Sequence, residues 1–176
     1  MNFRDRVQIM QGNIVSVDVD AVVNAANSEL MKGAGVCGAI FAAAGPELES
    51  ACDAIGGCPT GEARITPGFL LKARYIIHAV GPVYRNGKSG EPELLASAYR
   101  SSLELCASHQ CRSVGFPAIS TGIYGYPKED AAQTAIDTVC DWLSRHAIPE
   151  RVVFVLFTQQ DLEIYESVMR DRRLMP

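Results

Sequence analysis

The chain has 176 residues, which predicts a single domain spanning residues 1–176 with a buried core. Its formal net charge is −4, which argues against a broad basic surface for nucleic acid. No apolar run is long enough to span a membrane, and charges stand where a signal peptide would carry its apolar stretch, so we expect a cytoplasmic protein.

Apolar runs typical of strands alternate with segments of helical periodicity, which predicts an α/β layered fold. The predicted strands lie at residues 6–10, 20–23, 63–66, 75–80, 113–116 and 152–157. The predicted helices lie at residues 36–44, 93–109, 127–145 and about 161–172, and Gly45-Pro46 marks a further helix start after the first. Because several strands lack polar alternation, we expect the sheet to be covered on both faces.

The six cysteines form no CxxC pair, and the three histidines are widely scattered along the chain. This spacing gives no support to a metal site. We therefore expect free thiols, no metal and no cofactor.

Two loops of similar composition each follow a predicted strand and lead into a helix. Residues 24–38 (NAANSELMKGAGVCG) are rich in glycine and asparagine, and residues 117–127 (PAISTGIYGYP) carry hydroxyls and two tyrosines but no basic residue. Glycine allows close approach to a ligand, and a helix start offers unpaired N–H groups. Loops that follow parallel strands meet at one sheet edge, so the pair predicts a diphosphate site built from main-chain amides. Either loop alone is equally consistent with a tight turn that needs glycine only for its geometry.

Residues 33–38 (GAGVCG) also match the dinucleotide pattern G-x-G-x-x-G. They begin well after the strand, however, and Asp53 lies in a loop-like segment rather than at the end of a second strand. No Walker A lysine is present either. The pattern does not favour an NAD-dependent dehydrogenase.

Residues 19–45 (VDAVVNAANSELMKGAGVCGAIFAAAG), 78–84 (HAVGPVY) and 116–127 (FPAISTGIYGYP) resemble the macrodomain family. The resemblance is closest to bacterial MacroD-type proteins, described as O-acetyl-ADP-ribose deacetylases and ADP-ribosyl-protein hydrolases, and it extends over about residues 7–169. It implies a three-layer α/β/α sandwich around a mixed, largely parallel six-stranded sheet. It also implies ADP-ribose or O-acetyl-ADP-ribose as ligand and mono-ADP-ribosylated proteins as partners.

The resemblance further implies roles for individual residues. Asn13 and Ile14 would meet the adenine and Phe157 would flank its ring, although the end of an apolar strand taken alone favours a core position. Asn27 would bind the distal ribose as a catalytic residue. The loops would supply the remaining ligand contacts, with Tyr126 against the distal ribose: Asn24, Gly33, Ala34, Gly35, Val36, Cys37, Ser120, Thr121, Gly122, Ile123, Tyr124, Gly125 and Tyr126.

Three positions depart from the family pattern. Cys37 stands where the family has the aspartate that positions or deprotonates the attacking water, Phe41 replaces a histidine, and Asn13 replaces the aspartate that contacts adenine. Asn13 can still accept a hydrogen bond from the adenine amine, without the added strength of charge. With no carboxylate left at position 37 to act as a general base, the water would be held by Asn27 and the ligand's own phosphate.

As a candidate catalytic residue, Cys37 is either a nucleophile or a small buried neighbour of the phosphate. The absence of a histidine predictably close to it favours the second interpretation. The leading hypothesis for the whole chain is a hydrolase, and the alternative is an ADP-ribose reader without turnover. A different ligand, such as RNA, is disfavoured by the net charge and by the lack of a basic stripe.

Overall fold

The strands of the computed structural model, which describes residues 2–175, all lie in one sheet. They are β1 (Val7–Gln11), β2 (Ala21–Ala25), β3 (Ala63–Pro67), β4 (Tyr75–Ala79), β5 (Ser113–Phe116) and β6 (Arg151–Leu156). The helices are α1 (Gly35–Ala44), α2 (Glu47–Ile55), α3 (Glu91–Ser108), α4 (Lys128–Arg145) and α5 (Gln159–Asp171), with short 3-10 helices at Phe3–Arg6 and Ile14–Ser16. The predicted strands and helices are all present, with ends shifted by about two residues or less. Within the described range, no helix combines the length and the apolarity that a membrane span needs.

The sheet order is β1-β6-β5-β2-β4-β3. The first five strands in this order, β1-β6-β5-β2-β4, are parallel to their neighbours. The sixth, β3, lies at the edge and runs antiparallel to β4. This arrangement confirms the predicted mixed, largely parallel six-stranded sheet. It also brings the carboxyl ends of β2, β4, β5 and β6 to one edge.

Helices cover both faces of the sheet, because successive strand residues point to opposite sides. In β2, Val22 packs into the core beneath α1 and α2, whereas Val23 packs into the core beneath α3, α4 and α5. In β4, Ile76 and Ile77 divide between the same two cores. The α/β/α sandwich is therefore confirmed, with an apolar core on each side of the sheet.

Asp20 aligns the starts of β2 and β5. Its Oδ2 accepts hydrogen bonds from the main-chain N–H groups of Arg112 (2.7 Å) and Ser113 (3.2 Å). The N–H of Asp20 in turn donates to Ser113 Oγ at 2.8 Å. Because the two parallel strands start in register, the glycine-rich loops that follow them both lie at the same edge of the sheet.

Glu91, the first residue of α3, organises the connection from β4 to α3. Its side chain is buried, and Oε2 accepts hydrogen bonds from the N–H groups of Arg85, Asn86 and Gly87, while Oε1 accepts one from Ser89. These main-chain bonds, led by that from Arg85, lower the pKa of Glu91 to about 2. The carboxylate thus fixes a third loop beside the two predicted from the sequence.

Candidate functional site

A cleft of ≈ 320 Å³ opens at the carboxyl ends of β2, β4 and β5, between the two glycine-rich loops. This is the edge at which open α/β sheets bind their ligands. Its lining residues come from all three strand-to-helix connections: Ala25, Ala26, Asn27, Gly33, Ala34, Gly35, Val36, Cys37, Gly81, Ala118, Ile119, Ser120, Gly122, Ile123 and Tyr124.

The first loop is closed by the side chain of Asn27. Its Nδ2 donates to the carbonyl of Met31, and the N–H of Met31 donates back to Asn27 Oδ1, both at 2.9 Å. The loop then packs directly on helix α1, because a Cβ at Gly38 would lie 2.6 Å from the carbonyl oxygen of Gly33. Only glycine at position 38 permits this approach, so the loop is held in a fixed turn above the cleft.

Helix α1 begins at the cleft, and no side chain within residues 2–175 caps its first N–H groups. Its N-cap residue, Ala34, offers no side-chain acceptor, and its first turn holds no acidic residue. By contrast, the first turn of α5 is capped by Thr158, whose hydroxyl accepts from the N–H of Asp161 at 3.1 Å. The N–H groups at the start of α1, at Gly35 and the residues after it, therefore remain available to an anion.

The second loop folds tightly back on itself. The N–H of Tyr126 donates to the carbonyl of Ser120 at 2.9 Å, and the N–H of Gly125 donates to Gly122 at 3.0 Å. Ser120 adopts a left-handed conformation with φ 68°, which is uncommon for a residue other than glycine. A strained backbone of this kind is often found at ligand sites.

Gly81 makes room for that conformation. A Cβ at position 81 would lie 2.1 Å from Ser120 Oγ and 2.5 Å from Ile119 Cγ2. Ser120 Oγ is itself buried and has no hydrogen-bond partner within residues 2–175. Gly81 thus allows the β4 connection to lie directly against the second loop.

Three tyrosines, Tyr84, Tyr124 and Tyr126, pack at the second loop. The N–H of Tyr84 donates to the carbonyl of Tyr124 at 2.9 Å, and the rings of Tyr84 and Tyr126 lie 4.8 Å apart. Burial raises the pKa of both Tyr124 and Tyr126, and the nearby charge of Glu29 adds to the effect on Tyr124. These phenols are therefore neutral hydrogen-bonding groups at physiological pH.

A buried polar cluster lies behind the first loop. Asn24 Nδ2 is 3.1 Å from His78 Nδ1 and 3.7 Å from Cys37 Sγ, and Thr66 Oγ1 is 3.0 Å from His78 Nε2. His78 has no exposed surface, and this burial lowers its pKa to about 4. The imidazole is neutral at physiological pH.

The wall of the cleft carries no acidic or basic side chain among the residues that the structure describes. Nor does any group of three His, Cys, Asp or Glu residues in that part of the chain form a metal site. The first loop does contain one carboxylate, Glu29, which was not among the predicted site residues. Its charge contributes to the raised pKa of Tyr124. Glu29 is exposed and does not line the cleft.

The structure brings ten of the residues predicted for ligand binding into the cleft wall. They are Asn27, Gly33, Ala34, Gly35, Val36, Cys37, Ser120, Gly122, Ile123 and Tyr124. The other predicted residues lie outside this wall: Asn13, Ile14, Asn24, Thr121, Gly125, Tyr126 and Phe157. Of these, Asn24, Ile14 and Tyr126 are buried beneath or beside the loops, and their roles stay predictions.

Phe157 is not a core residue, so the interpretation that the strand pattern alone favoured is wrong. Its side chain is 74% exposed, because β6 ends at Leu156 and the next residue leaves the sheet. Three other large apolar side chains that are mostly exposed, Met31, Val83 and Ile123, also follow strands that end at this edge. These exposed side chains therefore share the sheet edge at which the cleft opens, and one of them, Ile123, lines the cleft.

Sequence reasoning missed five lining residues: Ala25, Ala26, Gly81, Ala118 and Ile119. The same rule that selected the two glycine-rich loops applies to Gly81, because it directly follows a predicted strand. The alanines and Ile119 carry no polar group, and only the packing of the loops places them at the cleft.

Comparison with known proteins agrees with this geometry. The family model for the Macro domain matches residues 23–135. A Macro domain-containing protein of Mesorhizobium japonicum is 55% identical over 161 residues, which are 92% of this chain and 92% of that protein. A Salmonella gallinarum protein named O-acetyl-ADP-ribose deacetylase is 50% identical over 168 residues, covering 93% of this chain and 94% of its own length.

Solved structures show the same fold with nucleotide ligands. The Oceanobacillus iheyensis macrodomain with ADP has a TM-score of 0.90 at 41% identity, covering 94% of this chain and 90% of that one. A Trypanosoma brucei macrodomain in complex with ADP-ribose has a TM-score of 0.86 at 38% identity, covering 92% of this chain and 68% of that one.

The contact between Gly81 and Ser120 can be tested by Gly81→Ala. The added methyl group cannot fit without moving Ser120 or Ile119, so we expect a loss of about 1–3 kcal/mol in the free energy of unfolding. Urea denaturation measures this change. Gly122→Ala is the matched control, because a Cβ there meets no atom within 4 Å. Equal stability of the two variants would contradict the proposed close contact.

The burial of His78 predicts a pH-dependent stability. The pKa of His78 falls from 6.5 to about 4 on folding. Between these two pH values, His78 is protonated in the unfolded chain but neutral in the folded protein. The stabilisation is complete above the unfolded pKa and is lost as the pH falls towards the folded pKa; between about pH 7 and pH 5 the loss is about 2 kcal/mol. Urea denaturation of the protein and of His78→Asn at both pH values isolates this contribution. A slope as steep in His78→Asn as in the unmodified protein would contradict it.

Proposed function

This chain belongs to the Macro domain family, and we propose that it binds ADP-ribose and hydrolyses O-acetyl-ADP-ribose or ADP-ribosyl esters on acidic residues of proteins. The relatives named O-acetyl-ADP-ribose deacetylase, about half identical to this chain over nearly its whole length, support this assignment. So do the structural neighbours that hold ADP or ADP-ribose.

The observation that carries the proposal is an uncharged cleft wall that ends on free main-chain donors. The first turn of α1 presents N–H groups at Gly35, Val36 and Cys37, and the second loop presents the backbone around Gly122. Main-chain amides and the positive end of a helix dipole bind phosphate without a basic residue. A diphosphate therefore fits this cleft in a protein whose net charge is −4.

The adenosine half of the ligand would lie towards Asn13 and Phe157. Asn13 is exposed, and its Oδ1 already accepts a bond from the N–H of Val15 at 3.2 Å. The second lone pair of that oxygen is free to accept from the adenine amine. The exposed ring of Phe157 supplies a flat apolar surface for the base.

Hydrolysis needs a water molecule beside the ester at the distal ribose. We propose that Asn27 and the ligand's phosphate hold this water, and that the loop amides stabilise the negative charge that develops as it attacks. The water oxygen bonds to the acyl carbon, the ester bond breaks, and ADP-ribose leaves with the proton that the water releases. Asn27 lines the cleft. Its Nδ2 can donate one more hydrogen bond and its Oδ1 can accept one more, beyond those made with Met31.

Cys37 does not fit the role of nucleophile. No imidazole of the described residues bonds to the Cys37 thiol, because His78 is bonded to Asn24, which lies between the two side chains. The Cys37 thiol lies 3.6 Å from the carbonyl of Met31, to which it donates. We propose instead that Cys37 is a small neutral residue of the cleft floor, in the place where the family resemblance implies an aspartate.

A second function has a specific observation in its favour. Because the cleft wall lacks a general base among the described residues, the chain would bind ADP-ribose without turnover and so act as a reader. Mono-ADP-ribosylated proteins are the proposed partners in either case. We also propose a cytoplasmic location, which is supported by six cysteines that are all free thiols.

Cys37→Asp separates the two functions. The new carboxylate would face Asn24 Nδ2 at the cleft floor and supply a general base, a group worth roughly a hundred- to ten-thousand-fold in rate. We expect the unmodified protein to bind ADP-ribose with micromolar affinity and to release acetate from O-acetyl-ADP-ribose slowly, and Cys37→Asp to accelerate that release. Calorimetry measures the binding, and chromatographic detection of ADP-ribose measures the turnover.

Cys37→Asn is the matched control, since it has the shape of the aspartate without its charge. It should bind ADP-ribose without gaining activity. Turnover by Cys37→Asp alone would establish the reader function for the unmodified protein, whereas turnover that Asn27→Ala abolishes would establish the hydrolase. Absence of any ADP-ribose binding, or equal competition by AMP or RNA, would contradict both.

A further inference from the structure

A continuous chain of polar contacts runs from the edge of the sheet to the first loop of the cleft. It starts at Thr66 on β3, passes through His78 on β4 and Asn24 on β2, and reaches Cys37 on α1. The Cys37 thiol then contacts the carbonyl of Met31, which Asn27 also binds. Every intermediate member is at least nine-tenths buried.

The orientation of the Asn24 amide in this structure sets the direction of each hydrogen bond in this chain. Asn24 Nδ2 can only donate, so His78 Nδ1 must be the acceptor, and the ring proton of the neutral imidazole therefore lies on Nε2. That proton is donated to Thr66 Oγ1, 3.0 Å away. The second hydrogen of Asn24 Nδ2 points to Cys37 Sγ, and the Cys37 S–H donates to Met31.

This polarity leaves one atom without a partner. Asn24 Oδ1 is buried, yet no donor within residues 2–175 reaches it. A buried, unpaired amide oxygen is costly, typically about 1–3 kcal/mol, and is retained where it has a purpose.

We propose that His78 is a positioning residue for the ligand cleft, which acts by fixing the side-chain orientation of Asn24. The imidazole holds Nδ2 towards Cys37 and keeps Oδ1 free. Through Cys37, the same contact holds the turn that carries Asn27. The inference rests on the proposed function for its ligand, but the positioning itself is a property of the protein alone.

A double-mutant cycle tests whether His78 acts through Asn24. His78→Leu and Asn24→Ala should each weaken ADP-ribose binding about tenfold, the effect of losing roughly one buried hydrogen bond. The double variant should also be about tenfold weaker, because the second change removes nothing further. Calorimetry measures the affinities at a temperature where circular dichroism shows each variant to be folded.

His78→Asn is the matched control, since its side-chain oxygen can accept from Asn24 at the place of Nδ1. It should restore ADP-ribose affinity to within about twofold of the unmodified protein even if its stability is reduced. A residue with a merely structural role would show binding that follows stability instead. Additive losses in the double variant, or full affinity in His78→Leu, would overturn the proposal.

The alkylation rate of Cys37 in the free protein gives a test that needs no nucleotide. Among the described residues, Cys37 is the only free cysteine that lines the cleft, and it is buried, so we expect iodoacetamide to label it slowly and from that side. Its labelling, followed by mass spectrometry, should be several-fold faster in His78→Leu and unchanged in His78→Asn. Equal rates in all three proteins would overturn the proposal. Failure of ADP-ribose to bind, with the rates still different, would remove only the proposed function.

Discussion

Unpaired main-chain N–H groups at the start of α1 are the constraint on which the rest of the site depends. Ala34 offers no side-chain cap, and the first turn of the helix has no carboxylate to occupy its donors. In a protein with a net charge of −4, these donors are held in a cleft whose described wall has no charge of either sign. A phosphate group therefore meets oriented dipoles rather than ion pairs.

The remainder of the fold keeps those donors in place. Asp20 sets β2 and β5 level at their amino ends, so that both glycine-rich loops reach the same edge of the sheet. Glu91 fixes the connection from β4, and Gly81 lets that connection lie against Ser120. Each of these groups is preorganised before any ligand arrives, and the entropy cost of ordering the loops is met by folding rather than by binding.

The sequence predicts the layered fold and the two glycine-rich loops well, because both follow from local patterns. The polar chain through His78 could not be predicted, since it depends on the register that places Asn24 beside His78 across two strands. The exposure of Phe157 could not be predicted either, because the apolar run in the sequence continues past Leu156, whereas the strand ends there. The place of Gly81 at the cleft could have been predicted, because Gly81 follows a predicted strand at the same edge.

Titration of the ¹⁵N-labelled protein with ADP-ribose, followed by two-dimensional NMR, tests the amide-based site most directly. The account predicts that the largest shifts occur at the N–H groups of Gly35, Val36 and Cys37 and of the loop from Ser120 to Gly125. Those protons should move downfield, as expected when an amide donates to a charged oxygen. Saturable binding with no change at these amides, or with shifts confined to basic side chains elsewhere, would contradict it.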